Sequence, residues 1–110
     1  MELGKCYDWK SWYTNLSEYI GILHVTGRCK FPTVGFSVTL RPKPLQGINP
    51  RIYLLERYIC PPAGQKQKDE GETVVEVCYF EYTSFVYDFV HILPDGIDVK
   101  IEGVGGRPGL

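Results

Sequence analysis

The sequence contains no long apolar run. A membrane-spanning helix needs about 18 consecutive apolar residues, and nothing here approaches that, so no membrane contact is expected. Positive charge is thin as well: 12 Lys and Arg stand against 13 Asp and Glu, scattered along the chain. Without a basic stripe there is nothing to follow a phosphate backbone, and nucleic acid drops out of the expected partners. Histidine occurs only as His24 and His91. The four cysteines, Cys6, Cys29, Cys60 and Cys78, form no CxxC pair and have no histidine at zinc-finger distance, so their spacing predicts no metal site. Gly103, Gly105 and Gly106 open no helix and make no phosphate cradle. No cofactor is expected. The N-terminus, MELGKCYDWK, lacks the apolar centre of a secretory signal, which predicts a cytoplasmic protein, or an extracytoplasmic one if a leader has been removed.

What is present suits one domain. A chain of 110 residues, 44% hydrophobic and 23% charged, can bury a single core without metal or disulfide staples. The thiols read as buried free cysteines. In an oxidising compartment, Cys29 and Cys78 are the expected pair.

The stretch Thr73 to Leu93 organises the pattern. It is rich in β-branched and aromatic residues and reads as two strands joined at a turn near Thr83 and Ser84, ahead of the turn Pro94-Asp95-Gly96. In the second strand Phe85, Tyr87, Phe89, His91 and Leu93 share one face, while Val86, Asp88, Val90 and Ile92 share the other. Neither face is polar, so either both are covered within the chain or one, with Tyr87 and Phe89, forms an interaction surface for a second molecule.

Earlier strands follow simple alternation. Leu23, Val25, Gly27 and Cys29 face inward from Ile22 to Lys30, with His24 turned to solvent. Phe36, Val38 and Leu40 do the same in the next strand. Pro32 and Gly35 make the turn between them. Pro42 to Pro50 reads as a stiff crossover between sheets, with Leu45 and Ile48 tucked beneath it. Ile52 to Cys60 reads as a central strand, Ala63 to Glu72 as a mobile hairpin loop, and Ile97 to Ile101 as a last strand.

Residues 1–20 do not alternate. Trp9, Trp12, Tyr13 and Leu16 fall at three- and four-residue steps, which predicts a short helix or an irregular cover over one end of the core. An alternative use of Trp9 and Trp12 is an aromatic platform for a sugar or peptide. Six or seven strands with one weak helical candidate predict an all-β domain over residues 21–102: a single antiparallel β-sandwich of immunoglobulin-like type, with a small closed barrel as the alternative and residues 103–110 as a flexible Gly-rich tail. Cys29 and Cys78 are spaced like the pair that pins the two sheets of antibody domains. Lys43 and Pro44 stand where the packing Trp would be, however, and Glu76 where the corner Tyr would be.

Catalytic sets are absent from the pattern. Cys78, His91 and Asp88 have the chemistry of a nucleophile triad, but Asp88 and His91 are three apart in one strand and point to opposite faces. No enzyme is expected.

Two resemblances add to this reading. Pro32-Thr33-Val34-Gly35-Phe36 resembles the Asn-Pro-Thr-Thr-Gly-Tyr loop of chagasin-type inhibitors of papain-like cysteine peptidases, with Phe31 in place of the Asn. Gly103-Val104-Gly105-Gly106 resembles that family's Gly-x-Gly-Gly loop, and Arg107-Pro108-Gly109 stands where a third loop has Arg-Pro-aromatic. The resemblance implies an immunoglobulin-like fold in which Thr33, flanked by Gly35 and Phe36, enters a protease cleft. Separately, PTVGFSVTL, PLQGINP, ICPP and LPDG, over Val25 to Ile101, are similar to a group of small uncharacterised bacterial all-β proteins, which implies a fold and no activity. The expected function is therefore non-catalytic binding, through a protein partner or self-association. Peptidase inhibition and carbohydrate binding are the alternatives.

Overall fold

The structure, a computed structural model, describes residues 4–62 and 72–102. Every regular element among them is a strand: β1 (Lys5–Asn15), β2 (Gly21–Phe31), β3 (Ser37–Pro42), β4 (Ile52–Cys60), β5 (Thr73–Thr83), β6 (Phe89–Leu93) and β7 (Ile97–Glu102). They form one mixed sheet in the order β3-β4-β6-β7-β1-β2-β5. This sheet rolls until its outer strands, β3 and β5, pack together without a ladder, which gives a nearly closed barrel in place of the expected two-layer sandwich. Nor is the pairing wholly antiparallel: β1 runs parallel to β7, and β4 parallel to β6.

β2 and β3 behave as their alternation predicts. Leu23, Val25, Cys29 and Phe31 from β2 lie in the core with Leu40 of β3. β4 contributes Tyr53 and Leu55, β5 Val77, β6 Val90 and Ile92, and β7 Val99 and Ile101. β4 is central, between β3 and β6, as expected.

The N-terminal segment is a full strand rather than a helix or cover. Its ladder with β2 slips between Tyr7 and Lys10, where Asp8 has a φ of 60°. Such a β-bulge inserts an unpaired residue and breaks the period of two. Cys6, Trp9 and Tyr13 thus all pack on the core, at steps that imitate a helix, while Trp12 turns to the outer face beside His24.

Two connections also differ from expectation. β5 and β6 are not a hairpin: β5 is the sheet's outer strand beside β2, and β6 lies between β4 and β7. Tyr13 explains the crossing. Its hydroxyl donates to the Phe85 carbonyl at 2.8 Å and accepts from the Tyr87 N–H at 2.7 Å, holding residues 84–88 across the barrel end. Residues 43–51, for their part, join the neighbouring strands β3 and β4 and do not cross between layers. The Gln46 side chain bonds Lys43 O, Leu54 O and Leu54 N, so polar bonds hold this loop. Leu45 and Ile48 are left outside, Ile48 at 98% exposure.

Cys29 pairs with Cys6, its register partner across the β1–β2 ladder, and not with Cys78. Cys78 points outward from β5. It and Cys60 are exposed free thiols, against the expectation of buried ones.

Candidate binding site

The C-terminal half of β5 reverses the usual distribution of polar and apolar residues. Strand alternation turns Val75, Val77, Tyr79 and Glu81 toward the core, and Phe80 and Tyr82 away from it. The carboxylate is inside because hydroxyls receive it: Tyr53 Oη donates to Glu81 Oε1 at 2.6 Å, and Tyr79 Oη donates to the same oxygen. Tyr87 stacks on Tyr53 with ring centroids 4.7 Å apart, and Phe85 meets Tyr87 edge-on. Burial pushes the Tyr53 and Tyr79 phenols above their ordinary range, and the hydrogen bond to Glu81 pushes them further. Tyr87 moves the same way, by burial and then by the Glu81 charge. A ring cluster of this kind is a structural plug with its polar groups satisfied.

Outside, the result is an aromatic row. Trp12 of β1 pairs with His24 of β2, and His24 with Phe80 of β5. The Trp12 and His24 rings stack at 5.0 Å and 7°. Thr14 Oγ1 of β1 lies 3.0 Å from His24 Nε2, which fixes the imidazole on β2 between β1 and β5. Phe80 and Tyr82 are 60% and 63% exposed. Leu16, Tyr19 and Ile20 in the β1–β2 turn are exposed too, where Gly21 pairs with Thr83, so the apolar surface continues around the tip of the ribbon. Toward the other end the same face becomes charged, with Arg28 beside Asp8 and Glu76, and Lys30 beside Glu72.

The residues singled out in the sequence are dispersed. Tyr87 packs on the core, whereas Phe89 is half-buried and alternates with the core residues Val90 and Ile92, so the two do not share one exposed face. Their irregular approach through residues 84–88 removes the alternation on which that face depended. Phe36 stacks on Phe31 at 4.4 Å. Gly35 adopts a φ of 100° against Pro62. The Thr33 hydroxyl is buried without a hydrogen-bond partner among the described residues, while Pro32, Val34 and Gly35 of that loop are exposed. The glycine motif 103–106 and the Arg107-Pro108-Gly109 segment lie outside the described residues. Trp9 and Trp12, from opposite faces of β1, both line a cleft beside β7. His24 is on the outer face, as expected, but stacked and hydrogen-bonded. His91 Nδ1 meets Asp98 Oδ1, whereas Asp88 holds Arg51 at 2.6 and 3.0 Å, so neither joins Cys78.

Sequence reasoning missed His24, Phe80 and Tyr82 as site residues. The signal was the run Tyr79-Phe80-Glu81-Tyr82, in which the charged residue sets the wrong inward face unless its hydroxyl partners are known. No family model, no curated protein and no solved structure matches the chain.

Proposed function

We propose that this protein is a non-catalytic binding module that engages a partner protein through the outer face of β1, β2 and β5. The observation that carries the reading is the reversal in β5: Glu81 is bonded inside while Phe80 and Tyr82 are 60% and 63% exposed beside the Trp12–His24 stack. Apolar rings left in water next to a satisfied inward carboxylate cost solubility without adding to the core. Covering them would contribute about 2 kcal/mol per ring, the scale on which a small interface is centred on a few aromatic anchors. The Cys6–Cys29 bond supports a working environment more oxidising than a reducing cytoplasm.

The test is site-specific photo-crosslinking in the cells that make the protein. A photoreactive residue at Phe80 is expected to give one discrete covalent product, with a second protein or a second copy of this chain. The same residue at Thr39, exposed on β3, is expected to give none. Equal products from both positions, or none from position 80, would sink the proposal.

A further inference from the structure

The sheet is incomplete along one seam. β1 and β7 run parallel, but among the described residues their ladder consists of Ser11↔Ile101 and Trp12↔Glu102. Upstream of those pairs the strands part around a cleft of about 820 Å³. Trp9, Ile97 and Val99 belong to its core-facing side, and Lys10, Lys100 and Trp12 to its outer rim.

The direction of the β7 backbone follows from its hydrogen bonds. The Ile101 N–H donates to the Asp88 carbonyl at 3.0 Å, so Ile101 turns its backbone groups toward β6. Sides alternate along a strand, which turns those of Lys100 and Asp98 toward the cleft. Ser11 gives the same phase independently: its buried hydroxyl donates to the Lys100 carbonyl at 3.1 Å, where the seam closes. The Lys100 N–H and both backbone groups of Asp98 therefore open onto a space with no ladder partner among the described residues. Trp9 adds a buried Nε1 without an acceptor.

The rim carries both signs: Lys10 and Lys100 lie along the open part of the cleft, and Glu102 sits where the ladder closes, paired with Trp12. Among the described residues neither Lys10 nor Lys100 belongs to an ion pair. Asp98 is engaged by His91, and Asp88, the acid that feels Lys100, is held by Arg51.

We propose that the seam accepts an extended peptide segment of a partner protein as an added strand between β1 and β7. Its apolar side chains would face Trp9 and Val99, and an acidic side chain would face outward between Lys10 and Lys100. Strand addition of this kind takes affinity from main-chain hydrogen bonds and selectivity from alternate side chains. The proposal shares Trp12 with the aromatic face but does not need Phe80 or Tyr82.

Residue-resolved amide exchange on the full chain tests it. In the free protein the Asp98 and Lys100 amides are expected to exchange at least 100-fold faster than those of Val99 and Ile101, which face β6. An acetylated and amidated nonapeptide alternating valine and glutamate is expected to slow both at least tenfold. A Lys10→Ala/Lys100→Ala variant should bind that peptide at least fivefold more weakly, with a valine–threonine peptide unaffected. Slow Asp98 and Lys100 amides in the free chain would mean the edge is already paired and would overturn the proposal. So would a failure of both peptides to slow them. Equal weakening of the two peptides by the lysine variant would overturn the acidic preference.

Discussion

Glu81 and Tyr13 decide how this barrel closes, each by satisfying groups that would otherwise be stranded. Glu81 collects two phenols, and that arrangement ties stability to pH. Unfolded tyrosines ionise near pH 10, whereas Tyr53 and Tyr79 hold their protons above that. As the pH rises past about 10, the unfolded chain releases protons that the fold retains, so this contribution is fully present below about pH 10 and is lost above it. Ultraviolet titration of the eight tyrosines should show fewer phenolates in the folded than in the urea-unfolded chain at pH 11, the remainder appearing as the fold is lost. Superimposable titrations would contradict the buried cluster. For Tyr13, removing the hydroxyl strands the Tyr87 N–H and the Phe85 carbonyl. Tyr13→Phe should therefore cost about 1–3 kcal/mol in urea unfolding.

At the level of elements, β1 depends on β2. The Cys6–Cys29 bond joins register partners 23 residues apart in sequence. Cross-linking a loop of that length should stabilise by about 3 kcal/mol. Intact mass after denaturing alkylation without reduction should show two labels, on Cys60 and Cys78, and four after reduction, with stability falling by about that amount. Four labels without reduction would remove the bond. β2, β3 and the position of β4 were legible because unbroken alternation reports burial directly. β1 was not: the bulge at Asp8 rephases its inward residues, and a bulge has no composition of its own. β5 was legible as a strand, but its faces were not, since an inward Glu81 is intelligible only once Tyr53, from another strand, is beside it. The β5–β6 hairpin failed for a related reason, because a Tyr13 hydroxyl outside the segment holds residues 84–88 across the barrel end. Parallel pairings such as β4 with β6 leave no local signature, so strand order could not be read.

For the molecule as a whole, the rolled sheet separates two surfaces. Its outer β1–β2–β5 face carries the aromatic row, and charged pairs occupy the far end of the same ribbon. On that ribbon the exposed rings lie toward one tip, where the β1–β2 turn adds Leu16 and Tyr19. A partner docking there would meet Phe80 and Tyr82 first. The most direct measurement is the crosslink from position 80, repeated competitively: unlabelled wild-type chain against unlabelled Phe80→Ser/Tyr82→Ser chain, with both checked for intact folding by circular dichroism. Wild-type chain should suppress the crosslinked product, and the folded double variant should need at least tenfold higher concentration to do so. If the double variant competes as well as wild type, the aromatic face is not where the partner binds.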